Sequence, residues 1–394
     1  MLRGLRRAEP AVRADVLEFL ARHQSADLID EIMTTSGLYV GPLELLAQQE
    51  MALRGWYGLS WPTANGGSGA STAVTTALVE CLEYYLAPRI PPTAEYVAPM
   101  IIRHGTAEQQ ADWLPQILDG RMHVALGYSE PEAGTDLASL RSRARRAATG
   151  WTLDGEKVWN SHAHRCTHEL LALRTGSVAD RHRGVSLFLV PIDLKGISYH
   201  EIETWGDVRT NRLVLDGVEV PDSALLGEVD QGWRCIVGAL ERERISLGTS
   251  GHLLRLFDEF IAAARWTQEQ GRAVSEETMN GLRTYWPRLL GCHRLAVAAA
   301  RRVDEGEPAA TEACMLKVST TELRSEFAAW AIVAASRFQQ LPPGSLLESL
   351  PEWLYRRAPF HRFGGGTNEV LRDIIAQRGI GLTRAADPAL AVDR

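Results

Sequence analysis

The chain has 394 residues, 45% apolar and 23% charged, the proportions of a folded protein with room for two or three domains. They exclude a disordered, collagenous or disulfide-stapled chain. With 42 basic against 49 acidic side chains the net charge is −7, the wrong sign for a nucleic-acid binder. Only Lys157, Lys195 and Lys317 among the basic residues are lysines, a bias that by itself implies no function. Cys81, Cys166, Cys235, Cys292 and Cys314 are scattered without a C-x-x-C pair, the usage of buried thiols in a reducing compartment. The longest apolar stretch, Phe327 to Ser336, is about half of the ~20 residues a membrane span needs. Arg3, Arg6 and Arg7 precede no apolar run, and Glu9 follows at once, so neither a signal peptide nor a membrane segment is predicted and a cytoplasmic location is expected.

Taken in order, residues from Ala11 to about Met122 follow a helical period, as in Val12, Val16, Phe19 and Leu20. Trp61-Pro62-Thr63-Ala64-Asn65-Gly66-Gly67 breaks that block as a loop. The period changes from about 123 to 230. Trp151 to Trp159, with Asp154-Gly155 at its centre, predicts a hairpin, and Leu213 to Val220 around Asp216-Gly217 repeats the pattern. Val185 to Val190 reads as a buried strand ended by Pro191, and Arg141 to Arg146 as a strand with one solvated basic face. Short strands at this spacing argue a compact β-barrel or sandwich. From Gly232 the helical period returns. The expected organisation is an α+β multidomain chain: an N-terminal helical domain (1–122), a middle β-barrel (123–231) and a C-terminal helical bundle (232–394). With no βαβ alternation, a Rossmann fold is not expected.

The most informative stretch runs from Gly232 to Arg265, read as one helix. On a wheel centred on Ile236, Leu240, Leu247 and Leu254 return within about 40°, and Glu243 falls at about −20°, inside the apolar stripe. Its neighbours Glu241 and Arg242 point away. A carboxylate on a core-facing stripe is expensive unless paired or neutral, and burial raises its pKa. That suits a general base for a weakly acidic C–H, and equally an ion pair with Arg244 or another arginine at a helix contact. Two loops offer small residues and hydroxyls where backbone amides can meet a ligand. One is Tyr128-Ser129-Glu130-Pro131-Glu132-Ala133-Gly134-Thr135-Asp136. The other is Phe363-Gly364-Gly365-Gly366-Thr367-Asn368-Glu369, where Thr367 or Asn368 serve equally as plain N-caps. His162, His164, Cys166 and His168 cluster within seven residues, but the spacing fits no standard zinc pattern and no metal is expected.

Together and in order, these segments resemble the acyl-CoA dehydrogenase family over nearly the whole chain. Trp61-Pro62 through Gly66-Gly67-Ser68-Gly69 resembles the family's first loop. His104-Gly105-Thr106-Ala107-Glu108-Gln109-Gln110, with Leu114-Pro115 and Asp119-Gly120, is similar to the stretch before the flavin motif. Ser129 to Asp136 resembles the signature T-E-P-x-A-G-S-D, and Gly155-Glu156-Lys157-Val158-Trp159-Asn160-Ser161 resembles G-x-K-x-W-I-T. Gly227-Glu228 with Gln231-Gly232-Trp233 and then Gly365-Gly366-Thr367-Asn368-Glu369 complete the order.

The resemblance implies three domains, helical, β-barrel and four-helix, with FAD at their junction. It implies cofactor contacts from Leu126, Ser129, Thr135, Trp159, Ser161, Thr367 and Glu369, and substrate contacts from Thr135, Arg244 and Gly365. The reaction it implies is removal of an α-proton from an acyl thioester by a carboxylate while the β-hydride passes to the flavin. Most members carry that base just before the late G-T pair, which here is Gly365. A minority, including enzymes resembling isovaleryl-CoA and some actinobacterial sterol-side-chain dehydrogenases, carry it on the helix after the β domain, where Glu243 falls. The family's R-x-x-F-G is here Thr267-Gln268-Glu269-Gln270-Gly271, and its Q-x-x-G-G is not recognisable around Gln339-Gln340-Leu341-Pro342-Pro343-Gly344. Both belong to the subunit that completes a neighbour's cofactor site. The expected partners are therefore an acyl thioester of coenzyme A or a carrier protein, an electron-transfer acceptor, and a homo-tetramer or a hetero-oligomer with a related subunit. An oxidase or monooxygenase of the same fold and a flavin-poor partner subunit are the alternatives.

Overall fold

A computed structural model describes residues 10–35, 40–206 and 208–382. The arginines at 3, 6 and 7 and Glu9 lie outside them, as does the side chain of Glu241.

The first third is helical: α1 (Pro10–His23), α2 (Ala26–Thr35), α3 (Pro42–Leu53), α4 (Thr72–Tyr84), a single π-helical turn (Thr93–Val97), α5 (Ala98–His104) and α6 (Ala107–Leu118). Local chemistry sets the boundaries. Thr106 and Gln109 form a capping box at the start of α6. Ser71 caps α4, whose first amides also donate to the Asp304 carboxylate at 2.6 and 3.1 Å. The loop at Trp61 to Gly67 turns on Gly66 in the left-handed region, while a Cβ on Gly67 would meet the Trp61 carbonyl at 2.3 Å.

The middle third holds β1 (Val124–Gly127), β2 (Arg143–Arg146), β3 (Trp151–Lys157), β4 (His168–Arg174), β5 (Val185–Pro191), β6 (Ile197–Ile202), β7 (Thr210–Val220) and β8 (Leu225–Leu226). They form one sheet in the order β6-β7-β3-β2-β4-β5-β8, with β1 beside β4. The buried strand at Val185 and the basic outer face of β2 are as expected. The two hairpins are not there. Asp154-Gly155 and Asp216-Gly217 lie within single strands, β3 and β7, and face each other across a register shift. Leu153 pairs with Val218 and Gly155 with Leu215, so the second Asp-Gly supplies an extra residue, with Gly217 at φ 60°. Asp154 closes the bulge by accepting from the Gly217 amide at 3.0 Å. Left-handed glycine serves a bulge as well as a turn, and nothing local distinguishes the two.

The last third contains α7 (Gly232–Leu247), α8 (Gly251–Glu269), α9 (Glu276–Asp304), α10 (Ala310–Ala335), α11 (Leu350–Phe363) and α12 (Asn368–Ile374), with α10 in contact with each of the other five. The long helix predicted from Gly232 to Arg265 is two helices. Leu254 belongs to α8, and only Ile236, Leu240 and Leu247 share α7 with Glu243. The break has a packing cause. A Cβ at Gly248 would lie 2.5 Å from Leu316 on α10, and one at Gly251 would lie 2.2 Å from the Glu80 carbonyl on α4. The Leu316 side chain fills the space over Gly248, and the α4 backbone itself approaches Gly251, which leaves no room there for a larger residue. Gly251→Ala is expected to lower unfolding stability by about 1–3 kcal/mol in urea titration, the cost of overpacking. An unchanged midpoint would contradict the close approach.

One apolar cluster joins the first helices to one face of the sheet and to Cys235 and Ile236 of α7, and a second fills the C-terminal bundle. A third lies among the strands, around Leu153, Leu171, Phe188 and Leu213. Helix α7 therefore starts on the sheet, where a Cβ on Gly232 would sit 2.8 Å from the Ser186 backbone, and ends in the bundle. Glu243 lies near that end. No described helix is long and apolar enough to cross a membrane.

Candidate active site

The Ser129 loop leaves β1 and is held by its own acid. The Glu130 carboxylate accepts from the Arg141 and Ser142 amides at 2.6 and 2.9 Å and from Lys157 Nζ at 2.7 Å. Lys157, fully buried on β3, also donates to the Tyr128 carbonyl at 3.2 Å. Burial lowers its ammonium to about 8, which the Glu130 charge opposes. The Val158 amide then donates to the Ser129 carbonyl at 2.9 Å, placing the strand that ends in Trp159 beside the loop. Trp159 has φ 64°, is 57% exposed, and is followed by a tight turn in which the Ser161 amide donates to its carbonyl at 2.9 Å. A left-handed tryptophan with an open face carries both backbone and solvation cost, which a flat partner on the indole would repay. Leu126, Ser129 and Ser161 are half-buried in this region, and Thr135 is exposed.

On the bundle side, Glu243 and the glycine loop converge. A Cβ built on Gly365 would stand 3.5 Å from Glu243 Oε1 and 3.1 Å from Leu247. Buried Arg244, the next residue, donates from Nε to the Gly365 carbonyl at 3.1 Å. Its guanidinium is thus directed at the loop that carries Gly365. Glu243 is raised to about 7, first by burial; the charges of Arg244 and Lys317 pull it back and Glu95 adds to the rise. Tyr96, in the π-helical turn, and Tyr128, before the Ser129 loop, are raised by burial and next by the Glu243 carboxylate. Residues from the first helices, the β1 loop, α7 and the glycine loop therefore surround one carboxyl.

The sequence pattern did not single out what holds the glycine loop. Lys317, fully buried on α10, donates to the Arg362 carbonyl (2.8 Å), the Gly366 carbonyl (2.9 Å) and Asn368 Oδ1 (2.9 Å). Asn368 is itself buried and donates to Thr321 and Glu322 at 3.1 and 3.2 Å. Thr367 caps α12 through the Val370 amide at 3.3 Å, and Glu369 is exposed one residue past Asn368. A signal was present. Of the three lysines in a chain whose other bases are arginines, two are fully buried and each holds one of the two loops. A compact ammonium with three donors suits converging carbonyls where a planar guanidinium does not.

Among the described residues no group of three or more His, Cys, Asp or Glu side chains is placed to hold a metal. The two altered segments at Thr267 and Gln339 line a single cleft of about 420 Å³, to which Arg272 and Arg337 contribute.

The three family descriptions "Acyl-CoA dehydrogenase, N-terminal domain", "middle domain" and "C-terminal domain" match residues 7–121, 125–218 and 230–380. The chain belongs to the acyl-CoA dehydrogenase family. Among curated relatives it is 32% identical to "Acyl-CoA dehydrogenase FadE26" of Mycobacterium tuberculosis over 391 residues, 95% of this chain and 97% of that one. It is 31% identical to "Acyl-CoA dehydrogenase FadE29" of the same organism, over 87% and 90% of the two chains. Among solved structures, "Tcur3481-Tcur3483 steroid ACAD" superposes with a TM-score of 0.85 at 31% identity, covering 96% of this chain and 99% of that one. The ChsE4-ChsE5 complex from Mycobacterium tuberculosis gives 0.83 at 29% identity, over 95% and 97%. Members of the family are FAD-binding flavoproteins and oxidoreductases acting on CH–CH donors.

Proposed function

We propose that this protein is an FAD-dependent dehydrogenase of acyl thioesters in which Glu243 removes the α-proton. The observation that carries the reading is the convergence of Glu243 and Gly365: side chains grown from either position reach the same point, and only one of them bears a carboxyl. A base raised to about 7 matches a weakly acidic C–H better than an ordinary carboxylate does.

The residues at the junction fit the flavin-ring half of the cofactor. The open indole face of Trp159 suits stacking on a flat ring, and the half-buried Ser129 and Ser161 bring hydroxyls and amides to its edge. In this reading Leu126 and Thr135 complete the sheet side, and Thr367 and Glu369 meet the cofactor where α12 begins. The bound flavin supplies a hydride acceptor. Glu243 takes the proton from the carbon next to the thioester carbonyl, and Arg244 fixes the loop that faces it. Gly365 leaves room for the acyl chain. Glu243 is half-buried beside Tyr96, Tyr128 and Leu247, and the burial of its carboxyl holds its pKa up.

Anaerobic mixing of the flavin-loaded protein with a panel of acyl-CoA thioesters tests this: the visible flavin absorbance should bleach with at least one of them. Its rate should rise about tenfold per pH unit below about 7 and level off above, because only the ionised carboxyl accepts the proton. A rate independent of pH between 5 and 8 would contradict Glu243 as base.

A paired assembly is favoured by the cleft at Thr267 and Gln339. Its family-typical groups are replaced, yet Arg272 and Arg337 lie at its wall, in keeping with a subunit that meets a partner's cofactor differently. Two similar structures, Tcur3481-Tcur3483 and ChsE4-ChsE5, are each named for two different chains. The protein purified alone is then expected to hold less than one flavin per chain, and the protein co-purified with a related subunit to hold more.

A further inference from the structure

Under the turn that presents Trp159 lies a buried acid that the reaction above does not use. Glu169, on β4, is fully buried, and among the described residues it makes no ion pair. Asn160 Nδ2 donates to its two oxygens at 3.3 and 3.2 Å, and the Tyr199 hydroxyl of β6 donates at 3.5 Å. Asn160 is the residue between Trp159 and Ser161. It is itself wholly buried; its amide donates to the Asn211 carbonyl of β7 at 3.1 Å, and its carbonyl accepts from Asn211 Nδ2 at 2.9 Å. The same carboxyl borders the strand that delivers the Ser129 loop. A Cβ built on Gly127, which ends β1 two residues before Ser129, would stand 3.3 Å from Glu169 Oε2 and 3.2 Å from Asn160 Nδ2.

Two observations say that this carboxyl keeps its proton. A charge in the interior without a counter-ion is costly, and burial raises Glu169 to about 8 against only the Asn160 and Tyr199 hydrogen bonds. Asn160 Oδ1, moreover, is a buried acceptor with no partner. Half a turn of that amide about its last bond brings Oδ1 to the carboxyl, where it accepts the acid proton. An ionised carboxylate has no proton to give it. The neighbouring strands β1 and β5 carry no titratable side chain. The titratable groups that do face the site are the Cys166 thiol and the Tyr199 phenol, which burial pushes up to about 12 and well above its ordinary range. Behind Asn211 stand His164 at 3.4 Å and Arg209 at 3.2 Å, the latter paired with Glu201 at 3.0 Å.

We propose that Glu169 is a positioning residue for the flavin ring: its protonated carboxyl locks Asn160, and through Asn160 the Trp159–Ser161 turn, in the conformation that receives the ring. This rests on the dehydrogenase reading for the place of the ring at Trp159. The left-handed backbone of Trp159 does not hold itself, so a fixed neighbour is what the turn requires. When the carboxyl ionises, the bond to Asn160 Oδ1 is lost and a bare charge is left under the turn, and both effects loosen the seat of the ring.

The test is the FAD affinity of the full chain, measured by equilibrium dialysis at pH 6.5 and pH 9, without turnover. The parent and Glu169→Gln should bind FAD equally at pH 6.5, because the amide mimics a neutral acid. At pH 9 the Gln variant should bind about tenfold more tightly than the parent, whose carboxyl has by then ionised. Comparing the two proteins at each pH cancels the titration of every other group, Lys157 included. Glu169→Leu, which leaves the Asn160 amide without a partner in the interior, should bind about tenfold more weakly than both at pH 6.5. Three results would each overturn the inference: a Gln variant already tenfold weaker at pH 6.5, equal affinities of parent and Gln variant at pH 9, or a folded Leu variant that binds like the parent. Should the Leu variant not fold, the parent and Gln pair decides alone. Failure of the dehydrogenase reading looks different: none of the proteins would bind FAD at either pH, and the inference would fall with it.

Discussion

Replacing Glu243 by Gln should slow anaerobic flavin bleaching by about 10²–10⁴-fold while leaving the flavin bound, because the amide keeps the shape but cannot take a proton. The same change should stabilise the protein at high pH. A carboxyl raised to about 7 in the folded chain contributes stability that is fully present below its unfolded value and lost as pH rises through 7. The Gln variant escapes that loss, so it should exceed the parent by about 1–3 kcal/mol at pH 8 and match it at pH 4. A sharper form of the experiment moves the base. Gly365 has φ 65°, so a side chain there costs about 1–2 kcal/mol of backbone strain, and Leu247 must give a few tenths of an ångström. If the two positions address one point, Glu243→Ala/Gly365→Glu should bleach at least about tenfold faster than Glu243→Ala, a modest share of what a general base provides. Equal rates in those two proteins would sink the convergence argument.

Lys317→Met should be the most damaging change outside the reacting residues. It strands the Arg362 and Gly366 carbonyls and Asn368 Oδ1 in the interior, and breaking such a set typically costs about 3–5 kcal/mol, read as a lowered urea midpoint. A second readout separates positioning from mere stability. The Lys317 charge is one of two that draw Glu243 down against burial, so its loss should move the midpoint of the rate–pH profile upward by about one pH unit. An unmoved midpoint in a protein that still folds would show that the lysine holds the loop without addressing the carboxyl.

The helical and strand blocks, their order and the loops that meet at the junction were all legible in the residue pattern, because periodicity and glycine placement are local properties. Reading past them failed where tertiary contact decides. The Asp-Gly pairs at 154 and 216 look like hairpin tips, and only their mutual pairing makes them two sides of one bulge. The apolar stripe from Ile236 runs on to Leu254, and only contact of Gly248 with α10 and of Gly251 with α4 divides it. Glu243 stood out because a lone acid on an apolar stripe is a local anomaly. Lys317 occupies a helix with too weak an apolar face for a buried charge to look out of place, so its burial became visible only when α10 proved central to the bundle.

Helix α7 has one end fixed to the sheet at Ser186 and the other to the bundle at Leu316. Between those clamps its residue number is a ruler. One amino acid inserted or deleted before Glu243 would swing the carboxyl by about 100° and slide it about 1.5 Å. Homologues that keep a base at this position should therefore vary freely in the length of surface turns, yet count the same number of residues from Gly232 to Glu243.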